Sequence, residues 1–152
     1  MKTFLLITLI SALFTGCSSS NAFSQFSLTP EQSKSENSIL SSKIHFQNKT
    51  VGTVSAVYLN QVLPKIYNEN EWFYVSMYTK DSEKDVKFFL NGEKALNVKK
   101  LQVENKFSHL LSSVEEWKTY YLVEFKQLGN TLSFIVKNSN ASSAPLIYKK
   151  ED

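Results

Sequence analysis

The run Glu71-Trp72-Phe73-Tyr74-Val75-Ser76-Met77-Tyr78-Thr79 constrains this chain more than any other stretch. It is aromatic and β-branched on both parities, the composition that fits a pleated, packed surface and not a helix. Shorter runs of the same character recur on either side. Lys43-Ile44-His45-Phe46-Gln47 alternates, and Val51 to Leu59 forms a second strand after a turn at Asn48-Lys49. Val86, Phe88 and Leu90 alternate ahead of Asn91-Gly92, a two-residue hairpin signal. Thr119 to Leu128 and Thr131 to Asn138 flank Gly129-Asn130, which reads as a second such hairpin. Leu146-Ile147-Tyr148 closes the series.

Two stretches depart from this pattern. Leu96 and Val98 share one parity while Leu101 and Val103 share the other, so the spacing predicts a β-bulge at Lys99-Lys100. Phe107, Leu110, Leu111, Val114 and Trp117 follow helical spacing and predict a short helix or coiled connection. The expected architecture is all-β. It is an antiparallel β-sandwich of seven to eight strands, immunoglobulin-like in strand count and length, with one short helix in a connection. With 20 aromatic residues among 152, the chain has the means to build a core.

Composition then removes several function classes. All 17 basic residues are lysine, against 14 acidic residues. Without arginine's planar fork, nucleic-acid readout and bidentate phosphate clamping are disfavoured. The single cysteine, Cys17, excludes an internal disulfide and a thiol metal cluster. Four glycines exclude a Gly-rich phosphate loop.

The first 17 residues carry an address. Lys2 supplies a positive start, and Phe4 to Phe14 is an apolar run of 11 residues, too short to span a bilayer as a helix. It ends in Phe14-Thr15-Gly16-Cys17-Ser18. This segment resembles a bacterial lipoprotein signal peptide, with Gly16 and Cys17 at its most demanding positions and Phe14 where leucine is usual. The resemblance implies cleavage after residue 16 and a covalent lipid on Cys17. Ser18, in place of aspartate, implies sorting to the outer membrane of a Gram-negative cell. Residues 1–16 are thus expected to be a signal peptide, 17–42 a lipidated cysteine with a flexible Ser/Asn-rich tether, and 43–152 the β-domain. Size, anchor and strand pattern together look like the small immunoglobulin-like sandwich lipoproteins of some Gram-negative bacteria.

No catalytic constellation emerges, and no enzyme activity is expected. His45 sits on a strand and His109 on the polar side of the 107–117 stretch. Glu115 and Glu116 are adjacent, a spacing that rarely aims two carboxylates at one centre across a cleft. Glu69, Glu71, Asp81, Glu83 and Asp85 match no calcium loop. Neither metal nor cofactor is expected apart from the lipid on Cys17.

One recognition feature remains. Trp72, Tyr74 and Tyr78 share a parity opposite Phe73, Val75 and Met77, and Tyr120 adds a further polar-tipped ring. These rings either form an outward recognition surface or pack against the 60–70 connection and the 105–118 segment. The functional expectation is a non-catalytic binding module on the outer membrane, held there by lipid, with a protein or cell-surface partner in the manner of an adhesin. The alternative is a periplasm-facing accessory lipoprotein of an envelope assembly or secretion machine.

Overall fold

The computed structural model describes residues 28–80 and 85–150. Residues 1–27, with the expected signal segment and Cys17, lie outside the described residues. The described residues are mostly antiparallel β-structure, as expected, but their ten strands belong to one hydrogen-bonded sheet and not to a two-sheet sandwich of seven to eight strands. In chain order the elements are helix α1 (Pro30–Ser38), strands β1 (Ile39–Phe46) and β2 (Lys49–Tyr58), and the single-turn helix α2 (Leu59–Val62). There follow β3 (Glu71–Thr79), β4 (Val86–Leu90), β5 (Glu93–Lys94) and β6 (Asn97–Leu101). A 3-10 turn (Ser108–Leu110), β7 (Thr119–Phe125), β8 (Thr131–Asn138), β9 (Ala141–Ser143) and β10 (Leu146–Lys149) complete the chain.

The strand order is β5-β4-β8-β9-β1-β2-β3-β7-β6, with β10 also on β8. Its two ends, β5 and β6, are consecutive in the chain and separated only by Ala95 and Leu96. Ala95 N–H donates to Phe88 O at 3.0 Å on one side, and Leu96 N–H donates to Glu124 O at 2.8 Å on the other. One short segment therefore ties both ends of the order together, and the sheet curls back on itself. Asn97 faces Glu124 as well, so two residues oppose one at this corner. The bulge expected at Lys99-Lys100 sits instead at Leu96-Asn97, while the β6–β7 register runs without a slip through both lysines.

The concave side of the sheet holds the main core, in which Phe73, Val75, Met77, Phe88, Val123, Phe125, Phe134 and Tyr148 meet. A second core lies on the opposite face of β2, β3 and β7. There Val57, Leu59, Val62, Tyr67, Tyr74, Phe107, Leu110 and Tyr120 pack beneath α1, α2 and the 102–117 connection. Strand β3 is thus buried on both faces, which is why its sequence is apolar or aromatic at both parities. Each such ring, moved out of water, contributes about 1.5–3 kcal/mol.

Several local expectations change in consequence. Asn91 and Gly92 both adopt positive φ (50° and 85°) and join β4 to β5, as a two-residue hairpin demands. Gly129-Asn130 makes no hairpin: β7 pairs with β3 and β6, whereas β8 pairs with β4, β9 and β10. The chain crosses there from one part of the sheet to another. The expected tether also shortens, because residues 30–42 are helix and strand. Helix α1 begins with a complete capping box, in which Gln32 N–H donates to Thr29 Oγ1 (3.1 Å) and Thr29 N–H donates to Gln32 Oε1 (2.8 Å). Pro30 occupies the first helical turn, where its missing N–H costs nothing. The buried Ser35 hydroxyl donates to Leu110 O at 2.6 Å and fastens the helix to the 3-10 turn.

A close approach decides the identity of Gly52. The β1–β2 register slips between Ile44 and His45, which pair with Gly52 and Thr50 and leave Val51 as the extra residue. A Cβ at position 52 would stand 2.2 Å from Tyr78 O of β3, so no larger residue fits without moving backbone.

Candidate functional site

The four aromatic residues singled out from sequence do not form one outward surface. Tyr74 and Tyr120 are each only 1% exposed, stacked with ring centroids 6.1 Å apart in the second core. The Tyr74 ring also lies 5.3 Å from Phe107, and its hydroxyl accepts from Asn105 Nδ2 at 3.3 Å. Tyr120 OH accepts from Glu115 N–H at 2.8 Å and donates to Glu115 O at 3.2 Å. Trp72 is half-buried against Tyr67 at 5.4 Å, and Tyr78 is half-buried against Trp117 at 5.3 Å. The 60–70 connection and the 105–118 segment have claimed the rings. Tyr74 and Tyr120 are thus core residues and not part of an outward surface, because β3 has a core on each side of it, whereas Trp72 and Tyr78 keep partial exposure. Trp117, against which Tyr78 packs, is itself 58% exposed.

A concave site lies where β2 ends and β3 begins. A cleft of about 400 Å³ is lined there by Lys34 of α1, Tyr58, Asn60, Gln61, Pro64, Tyr67, Asn68, Glu69, Glu71, Gln127 and Lys150. The carboxylate of Glu71, 1% exposed, stands at its base. Oε2 accepts from Tyr58 OH at 2.5 Å, and Oε1 accepts from Leu128 N–H at 2.9 Å and from Lys150 Nζ at 2.6 Å. Lys150 Nζ also donates to Leu128 O at 2.6 Å. Burial and the neighbouring Glu71 carboxylate push the Tyr58 phenol well above its ordinary range, so it stays neutral and donating.

Every oxygen of Glu71 is therefore committed to a donor within the fold. A carboxylate so held latches elements together and is poorly placed to take a substrate proton. Asn60 is likewise spent on backbone: its Nδ2 donates to Asn70 O at 2.6 Å, and its Oδ1 accepts from Trp72 N–H at 2.8 Å. Around this fixed base, Lys34, Asn68, Glu69 and Gln127 present charged and amide groups to the cleft. The arrangement suits hydrogen-bonded capture of a polar group more than chemistry. The sequence signal for this site was Glu71 itself, a carboxylate heading the most apolar strand, where burial requires a partner.

The remaining titratable candidates are dispersed. His45 and His109 are exposed, and His109 Nε2 lies 3.4 Å from Glu31 of α1. Glu115 is ion-paired with Lys118 within one turn, and the Lys118 ammonium holds its carboxyl below the usual range. Glu69 is exposed and Glu71 is consumed by its latch, while Asp81 and Glu83 fall outside the described residues. Among the described residues, no group of three or more His, Cys, Asp or Glu side chains could hold a metal ion. Nor, among them, is any helix long and apolar enough to cross a membrane.

Comparison of the chain with protein-family models, with curated proteins and with solved structures gives no match.

Proposed function

We propose that this chain is a lipid-anchored, non-catalytic binding module of the bacterial cell envelope, carried on the outer membrane. The observation behind the proposal is Lys2, the apolar run Phe4–Phe14 and Gly16-Cys17, placed directly ahead of a domain whose described part begins at Leu28. A thiol at that position is the nucleophile a lipid-transfer reaction needs, and several acyl chains hold a protein to a bilayer where one does not. The binding half of the reading draws on the Glu71 cleft, whose base is rigid and whose rim offers polar groups of both signs.

Cys17 and Leu28 are eleven residues apart, a span of at most about 40 Å even when fully extended. A domain on so short a lead engages partners close to its own membrane. That favours the accessory role, within an envelope assembly, over adhesion to a distant surface.

The test is Cys17→Ala expressed beside the parent chain, with membrane fractionation and incorporation of radiolabelled palmitate as readouts. The parent is expected in the membrane fraction with label, and the variant free of both. Label retained by the variant would refute lipidation at Cys17. Protease treatment of intact cells then assigns the face, with a periplasmic protein as leakage control: digestion supports the adhesin role, and protection supports the accessory one.

A further inference from the structure

Base and rim of the Glu71 cleft differ in how their polar groups are held. At the base, Tyr58, Asn60, Glu71 and Lys150 are hydrogen-bonded to one another or to backbone. At the rim, Lys34, Asn68, Glu69 and Gln127 are exposed and line the same opening. They arrive from three segments: Lys34 from α1, Asn68 and Glu69 from the connection ahead of β3, and Gln127 from the crossing between β7 and β8. Among the described residues, none of these four side chains has a hydrogen-bond or ion-pair partner. Lys34 and Glu69 thus share one opening, opposite in charge, without pairing. Beneath them the Glu71–Lys150 pair is already matched in charge.

We infer that the cleft binds a short peptide with free termini, its carboxylate meeting Lys34, its ammonium meeting Glu69 and its amide lying between Asn68 and Gln127. A ligand of one charge is drawn by one rim group and repelled by the other, whereas a zwitterion satisfies both. Each carboxamide offers a donor and an acceptor, the pair that a peptide N–H and C=O require. Pro64 supplies apolar surface for a small side chain. A volume of about 400 Å³ equals roughly thirteen water molecules at about 30 Å³ each, room for a dipeptide of about eleven non-hydrogen atoms. The inference rests on the cleft being the binding site of the function proposed above, and it names the ligand.

The experiment compares Ala-Ala with its N-acetyl, C-amide and doubly blocked forms. Each is titrated into the isotope-labelled full chain in detergent, with the backbone amides of 67–69 and 127 and the side-chain amides of Asn68 and Gln127 as readouts. Ala-Ala is expected to shift these resonances together, and each single block to weaken binding about fivefold, the factor one exposed ion pair supplies at most. Lys34→Met is expected to erase the effect of amidation and keep that of acetylation, and Glu69→Gln to do the reverse. Both positions are exposed, so unchanged shifts elsewhere certify the fold. Equal affinity of all four forms at the cleft would overturn the peptide assignment and leave the cleft a binding site. No shift at the cleft with any form would overturn the assignment and remove the cleft's support as the binding half of the proposed function. The lipid anchor is read separately, from Cys17→Ala.

Discussion

Removing the Glu71 carboxylate tests the central electrostatic feature of this fold. In Glu71→Ala three donors lose their acceptor at once: Tyr58 OH, Leu128 N–H and Lys150 Nζ. Lys150 is about one-fifth exposed and recovers part of its loss by turning to water, but the Tyr58 hydroxyl is buried and has no such route. Breaking a buried pair from one side costs about 3–5 kcal/mol. For a domain of this size that lowers the melting temperature by roughly 12–20 °C, at about 4 °C per kcal/mol. Glu71→Gln keeps an acceptor oxygen for Leu128 and should cost less, near 1–3 kcal/mol. Lys150→Met leaves the buried carboxylate with two neutral donors and no countercharge, so it too is expected to cost about 3–5 kcal/mol. The assay is urea unfolding followed by tryptophan fluorescence, with an unchanged m-value as the sign that only stability has moved. A loss below about 1 kcal/mol in both Glu71→Ala and Lys150→Met would refute the latch.

Tyr74→Ala should destabilise by about 3–5 kcal/mol, the cost of emptying a core aromatic position, whereas a rim residue of a binding surface would change stability little; urea midpoints decide. Gly52→Ala forces a Cβ into the Tyr78 carbonyl and should cost about 1–3 kcal/mol, with loss of amide-exchange protection at the β2–β3 ladder. Burial raises the phenols of Tyr58 and Tyr148, so the folded chain keeps protons that the unfolded chain gives up above its ordinary value of 10.0. Their contribution is therefore complete below that pH, and stability should decline as pH rises beyond it. Phenylalanine at both positions should flatten the decline, measured by urea midpoints between about pH 9 and 12.

Strand identity was legible wherever a single periodicity governed a stretch. The bounds 71–79, 86–90 and 131–138 follow directly from the sequence. What strands join to was less legible, because turn chemistry is local and pairing is not. Gly129-Asn130 has hairpin composition, yet Leu128 N–H is spent on Glu71, and the chain leaves for another part of the sheet. The aromatic face of β3 misled for a related reason: the polar tips of Tyr74 and Tyr120 suit water, but Asn105 and Glu115 satisfy them from the covering connection. Helix α1 is very polar and lacks an apolar stripe, so periodicity could not find it. Its Thr29-Pro30-Glu31-Gln32 start was a readable capping signature nonetheless. The Glu71 latch spans 79 positions to Lys150, and no short motif encodes such a distance.

That separation sets a clock during synthesis. The chain emerges N-terminus first at roughly 5–20 residues per second. The carboxylate of Glu71 therefore waits about 4–16 s after its own synthesis before Lys150 exists to meet it. Over most of that interval β3 also lacks β7, its partner on one edge, and β8 and β10, which fill the concave side beside Phe73. The most apolar strand of the molecule is made early and covered late, so the nascent chain depends on whatever holds it open until the closing segments arrive.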